Sequence, residues 1–437
     1  MDLAHTQQRP KWQIPFFTIW TGQAFSLLGS MLVQFALVWW LTKTTGSATV
    51  LATATLVAML PGIFVGPFAG ALVDRWNRRV VMLVADGIIA LATAGLAYLF
   101  YLDAARVWHV YAILLIRATA GGFHWPAMQA STSLMVPEKH LSRVAGLNQT
   151  LNGVMNIVSP PLGALLMSIL PLQSVLAIDV GTAIPAILPL IFIHIPQPKR
   201  QAVSGTPEKP SLWGDVREGL RYVWGWPGLF AILVMATVLN LLFNPAFSLL
   251  PILVTKHFGG EALELGWIES AWGIGVVLGG VTLSAWGGFR RRVLTSLLGL
   301  VGMGLGTLLI GMAPGTAFWL ALTAMFATGF MNPIVNGPLF AVVQARVAPE
   351  MQGRVFTLIQ SAAMAMSPLG MAVAGPVADW LGVRIWYLVA GAVCALMGAS
   401  AFFVPAIVHL EDNHNGRTVA GGKKPGPVAT PVRVEVE

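Results

Sequence analysis

The chain has 437 residues, 56% of them hydrophobic and only 10% charged, with a net charge of +8 and a mean hydropathy of +0.73. Soluble domains carry about a quarter charged residues, so this composition excludes an ordinary water-soluble enzyme or binding domain and implies a polytopic membrane protein. The basic excess is dealt out among short loops rather than gathered on one face, which fits anchoring to an anionic leaflet and argues against nucleic acid as a partner.

Apolar runs of the ~20 residues needed to cross a bilayer recur almost end to end. In chain order the pattern predicts a cytoplasmic N-terminus (1–14) and a six-helix half (15–195) with spans at 15–41, 48–73, 80–102, 107–135, 142–168 and 174–195. A cytoplasmic linker (196–227) follows. A second six-helix half (228–408) has spans at 228–253, 266–286, 292–312, 317–345, 354–377 and 385–408, and a tail (409–437) reads as disordered. The first apolar run is too long for a signal-peptide core and shows no cleavage site, so it is expected to stay as the first helix. Within the linker, Pro196 to Pro210 is too polar to build a core. Ser211 to Trp226 is amphipathic behind a Ser N-cap and reads as a helix lying on the membrane surface. The expected fold class is an all-α integral membrane protein of twelve transmembrane helices.

Orientation follows from the basic residues. With the N-terminus inside, 21 of the 26 Lys and Arg fall on the cytoplasmic side, four on the other, and Arg117 within a span. The positive-inside rule then puts both termini in the cytoplasm and the chain in the cell (inner) membrane as a multi-pass protein. An internal repeat supports the even count. Gly122-Phe123-x-x-Pro126 returns as Gly329-Phe330-x-x-Pro333, Pro137-Glu138 as Pro349-Glu350, Gln149 as Gln360, and Ser159-Pro160-Pro161-Leu162-Gly163 as Ser367-Pro368-Leu369-Gly370. Two parallel halves are a known transporter plan.

Charged and polar groups inside the spans are the candidates for chemistry. The turn after the second span holds Asp74, Arg75, Arg78 and Arg79. Its basic residues need only be topogenic, whereas Asp74 can join a charge network that locks and releases the two halves. Arg117 lies ~15 Å into the fourth span at 1.5 Å per residue. An arginine there costs at least ~2.5 kcal/mol unless it faces protein or water. It is either a structural arginine bonded to carbonyls or a working charge. Asp86, Asp179 and Glu269 also fall inside spans. Burial favours the protonated form of a carboxyl and a nearby arginine the ionised form, so such an acid can hold a proton in one conformation and release it in another; capping or snorkelling is the alternative. Asn148, Asn152 and Asn156 share one helical face, and Asn240/Asn244 and Asn332/Asn336 repeat the spacing. Such stripes belong at helix contacts or along a wet cavity rather than against lipid. His124 beside Trp125 reads as structural. Gly62, Gly66 and Gly70 make a ridge that permits close helix packing, and Ser159-Pro160-Pro161 is expected to bend the fifth span.

Other chemistries find no support. The single cysteine, Cys394, allows no intrachain disulfide and no Cys-rich metal site. There is no phosphate-binding Gly-x-x-x-x-Gly-Lys-Ser/Thr loop, no His-Glu-x-x-His and no Gly-x-Ser-x-Gly, so neither ATP as energy source nor an intramembrane hydrolase is expected, and no cofactor.

The spacing Gly70-x-x-x-Asp74-Arg75-x-x-Arg78-Arg79 resembles the signature loop of the major facilitator superfamily of transporters, with Asn77 where that loop often has Gly. The resemblance implies gating for Gly70, Asp74, Arg75 and Arg79. Arg117-x-x-x-Gly121 resembles the family's fourth-helix motif, which implies proton coupling. Thr18 to Ala24, Leu41-Thr-x-x-Thr-Gly-Ser-Ala48, Ile116-Arg117, Phe123-His124, Ala177-Ile-Asp179-Val180, Gly353-Arg354-Val355-Phe356 and Ala378-Asp379 are similar to macrolide-efflux proteins among the drug:proton antiporters. Ser159 stands where antiporters have Gly before Pro. The expectation is a monomeric exporter of an amphipathic small molecule driven by protons. A native metabolite such as a siderophore or lipid-like compound is the alternative cargo, and a non-transporting scaffold or sensor the alternative class.

Overall fold

The computed structural model describes residues 12–73, 75–197, 212–347 and 349–411. The N-terminal half is α1 (Gln13–Thr45), α2 (Ala48–Phe64), α3 (Gly66–Val73), α4 (Arg78–Tyr101), α5 (Val107–Met135), α6 (Glu138–Ile169) and α7 (Leu172–Phe192). After α8 (Leu212–Trp224), the C-terminal half is α9 (Pro227–Ser248), α10 (Leu250–Ile252) with one π-helical turn (Leu253–His257), α11 (Ala262–Trp286), α12 (Arg292–Met312), α13 (Phe318–Arg346), α14 (Pro349–Leu381), α15 (Val383–Ala401) and α16 (Pro405–Val408). Among the described residues there is no strand. Ten of these helices are long and apolar enough to cross a membrane by themselves. The α2–α3 pair and α5, which carries Arg117 and His124, complete twelve.

The second span is not one helix. Pro67 has no N–H to give the carbonyl of Ile63, so the ladder fails and the chain restarts after Val65. By contrast α6 runs unbroken through Pro160 and Pro161. The turns follow capping rules. Gly46, at φ 59°, ends α1 with its N–H on Thr42 O at 2.9 Å, and Ser47 caps α2 by accepting from Val50 N at 3.3 Å. The linker's 198–211 and the tail from 412 lie outside the described residues, as does Ser211, the expected cap of α8. That helix itself packs on the C-terminal half, with Val223 buried against Leu229, Val343 and Val355.

One membrane face carries Arg75–Arg79 and Arg290–Arg292; the other carries Lys43 and the 46–47 turn. The halves meet mainly near the Lys43 face, through α2 against α14 and α6 against α11. There glycines let backbones touch: a Cβ on Gly375 would lie 2.8 Å from Thr49 Cα, and one on Gly266 would lie 3.0 Å from Pro160 O. Toward the Arg-rich face, Gly62, Gly70, Gly146, Gly153 and Gly353 have open space where a Cβ would go. Gly62 and Gly70, expected to pack closely, therefore have no described neighbour against them in this conformation. The molecule is closed at the Lys43 face and parted at the Arg-rich face.

Candidate functional site

The N-terminal half buries two tiers of polar side chains among α1, α4, α5 and α7. In the upper tier, nearer the Lys43 face, Arg117 Nη1 lies 2.6 Å from Asp179 Oδ2. Thr93 Oγ1 donates to the same oxygen at 3.2 Å and also accepts from Arg117; Ser30 Oγ reaches Asp179 Oδ1 at 3.3 Å. Four helices, α1, α4, α5 and α7, thus supply one side chain each. Asp179 is only 2% exposed. Two opposite charges with hydrogen bonds to both partners are what a low-dielectric site requires. Gly29 makes the arrangement possible, because a Cβ there would lie 2.1 Å from Thr182 Oγ1 and 2.9 Å from Asp179 Oδ1.

The lower tier repeats the upper one seven residues away on three of those helices: Gln23 under Ser30, Asp86 under Thr93 and His124 under Arg117. Seven residues are two helical turns, about 10 Å. Gln23 Nε2 donates to Asp86 Oδ2 at 2.9 Å, and His124 Nε2 lies 3.2 Å from Asp86 Oδ1. That second approach is off the line of a hydrogen bond, so it becomes an ion pair only when the imidazole is protonated. Asp86 is 5% exposed. His124, read from sequence as structural, faces one of the intramembrane acids. Glu269 stands apart on α11 in the other half, partly buried and one turn from Trp272.

The basic turn divides by role. Asp74 lies outside the described residues. Arg79 donates through Nε and Nη2 to Leu190 O and Ile191 O, carbonyls of the last turn of α7 that no helical N–H reaches. Asn77, the departure from the family pattern, N-caps α4 by accepting from Arg79 N at 3.1 Å and Val80 N at 3.4 Å. Arg75 is exposed and Arg78 buried at the start of α4. Gly70 faces open space.

A cavity of about 580 Å³ opens inside the C-terminal half. Asn240 and Asn244 of α9, Asn332 and Asn336 of α13, and Gln360 of α14 line it, with Phe243, Phe247, Trp272, Phe340, Met235 and Met303. The α6 asparagines are not on that wall. Asn148 Oδ1 instead accepts from Trp20 Nε1 at 2.7 Å, tying α6 to α1, while Asn152 and Asn156 have no hydrogen bond among the described residues.

Two contacts across the halves use residues of segments that resemble efflux proteins, but the sequence did not show the pairing. Asp379, at the end of α14, accepts from Ser47 Oγ at 2.8 Å, Ala48 N at 2.8 Å and Thr49 N at 2.9 Å, capping α2 from the other half. Lys43 Nζ pairs with Glu261 Oε1 at 2.7 Å.

Comparison with known proteins places this geometry. The family model described as Major Facilitator Superfamily matches residues 19–259 and 237–434. The chain belongs to that superfamily. It is a transporter of the major facilitator type. It is 34% identical to macrolide efflux protein A of Streptococcus pyogenes over 87% of this chain and 93% of that one. It is 28% identical to the multidrug efflux pump Tap of Mycolicibacterium fortuitum over 94% and 99%. Its fold is similar to that of a bacterial homologue of the human lysosomal transporter Spinster in an inward-facing, unoccupied conformation. That match has TM-score 0.68 at 14% identity, covering 92% of this chain and 98% of the other.

Proposed function

We propose that this transporter exports an amphipathic, macrolide-like small molecule from the cytoplasm against an inward flow of protons. The observation that carries the reading is the division of chemistry between the halves. Titratable side chains are buried in two tiers among α1, α4, α5 and α7 of the N-terminal half, while an apolar, amide-lined cavity occupies the other half. The efflux relatives support the choice of cargo.

In this reading the Arg-rich face is cytoplasmic, following the loop charge bias, and the conformation described is open inward. The lower tier is the proton-carrying pair: Asp86 and His124 take up a proton when the outer face is open and release it to the cytoplasmic side in the inward-open state. Protonation of His124 completes its ion pair with Asp86. In the upper tier, a proton reaching Asp179 would break its ion pair with Arg117 and free Arg117 to reorient. Asp379 of α14, capping α2, and Lys43 with Glu261 hold the outer face shut until the halves rock. Asp74 and Arg75 act at the other face when it closes. The chain works as a monomer, since each half finds its partner within the chain.

The test is uptake of radiolabelled erythromycin into inverted vesicles that contain the protein. An acid vesicle interior should drive accumulation, and a protonophore should abolish it. Accumulation that ignores the gradient contradicts the coupling, and absence of uptake for a panel of macrolides contradicts the cargo.

A further inference from the structure

Ser296 on α12 is 5% exposed and lines the C-terminal cavity, yet its Oγ has no hydrogen-bond partner among the described residues. Buried side-chain polar atoms are nearly always bonded, so an orphaned hydroxyl on a cavity wall marks where a ligand group is received. The amides of the same wall are half-used. Asn336 Nδ2 donates to Asn332 O at 3.0 Å, and Asn244 Nδ2 donates to Asn240 Oδ1 at 3.0 Å and to Ser367 Oγ at 2.5 Å. Those bonds occupy the amide nitrogens of Asn244 and Asn336. Their Oδ1 atoms remain as acceptors, Asn332 Nδ2 remains as a donor, and Gln360 makes no bond among the described residues.

None of the described side chains lining the cavity is ionisable. A cation or anion entering it would shed water and meet no counter-charge, which is costly. A neutral hydroxyl both donates and accepts, and so satisfies the mixed set left open. Phe243, Phe247 and Phe340 cover the apolar side of whatever binds, and about 580 Å³ is within the range of small-molecule sites.

We propose that this cavity is a subsite for a neutral, hydroxyl-bearing amphipath, a hydroxylated lactone ring or an aryl glycoside, with ionic chemistry confined to the N-terminal half. Its part in export rests on the function proposed above; its binding chemistry does not.

The test is equilibrium binding to the full chain in lipid nanodiscs. The probes are 6-deoxyerythronolide B, an uncharged hydroxylated macrolactone, and p-nitrophenyl-β-D-glucoside, with tetraphenylphosphonium as the competing lipophilic cation. At least one neutral probe should bind with the same affinity at pH 6 and pH 8 and resist competition by the cation. Ser296→Ala and Asn336→Leu should each weaken it, by several-fold and about tenfold respectively. Should Asn336→Leu fail to fold, Ser296→Ala, which removes a single buried oxygen, carries the test. Binding of neither neutral probe, effective competition by tetraphenylphosphonium, or indifference to the substitutions overturns the proposal. Binding that obeys the pattern in a protein that moves no macrolide in vesicles overturns the exporter reading and leaves the subsite standing. Macrolide export untouched by both substitutions, where they weaken binding of the neutral probe, overturns the subsite's part in export and leaves its binding chemistry standing.

Discussion

Arg117 on α5 and Asp179 on α7 are joined by an ion pair 2.6 Å long, with Thr93 bonded to both partners. Removing one member of a buried pair leaves the other charge stranded and costs about 3–5 kcal/mol. Asp179→Asn should therefore lower the thermal unfolding midpoint sharply, as should Arg117→Gln. The double variant should be more stable than either single, because no charge is left uncompensated. Thermal denaturation of the three proteins in one detergent checks this; a double variant that loses the sum of both effects would contradict the pairing.

Asp379 caps α2 across the halves with three hydrogen bonds, two of them from backbone N–H groups. Loss of a helix cap costs about 0.5–2 kcal/mol, whereas the exposed Lys43–Glu261 pair is expected to contribute at most about 1 kcal/mol. Asp379→Ala should thus loosen closure at the Lys43 face more than Glu261→Gln does. Thr55 lies behind this contact, its hydroxyl 2.5 Å from Ser248 Oγ. In a Cys394→Ala background, a cysteine at position 55 should react faster with an impermeant maleimide applied from that face when Asp379 is replaced. Unchanged labelling would show that the cap does not hold the face shut.

Two glycines separate packing now from packing later. Gly266 sits on Pro160 O and Pro161 Cα, so Gly266→Leu should destabilise the resting protein by about 1–3 kcal/mol through overpacking. Gly62 has open space around it, and Gly62→Leu should leave the unfolding midpoint within a degree or two. If the halves close over it during the cycle, the same substitution should cut turnover at least several-fold. Full turnover in Gly62→Leu would place that ridge against lipid throughout.

Much of this was legible from residue pattern because the membrane imposes a strong rule: apolar length gives spans, and basic loops give alternation. The deep charges were legible for the same reason, since Arg117 and Asp179 are too costly to leave unpaired in hydrocarbon. What pattern could not supply was pairing. The seven-residue displacement that stacks Gln23, Asp86 and His124 under Ser30, Thr93 and Arg117 depends on how four helices are rotated against one another, and apolar spans carry little information on rotation. The approach of His124 to Asp86 lay beyond the reach of pattern on that account. Likewise the α6 amides share one face in sequence, yet Asn148 is drawn to Trp20 by a neighbour that sequence does not show. Arg79, expected as part of a gate, finds the free carbonyls of α7 because chain reversal brings that helix end beside it.

Orientation has a direct check. Trp76 and Asp103 are exposed at opposite faces. With Cys394 replaced by Ala, a cysteine at position 103 should be labelled on intact cells by an impermeant reagent, and one at position 76 only after the membrane is broken. The reverse pattern would invert the topology and turn an exporter into an importer.

The central claim is that Asp86 and His124 couple proton movement to export. The most direct measurement is proton release or uptake by the purified, reconstituted protein on addition of erythromycin, alongside transport under an imposed pH gradient. The account predicts that Asp86→Asn folds and binds drug, yet neither exchanges protons on drug addition nor moves drug uphill. Uphill export and drug-induced proton exchange at the unmodified level in Asp86→Asn would contradict it.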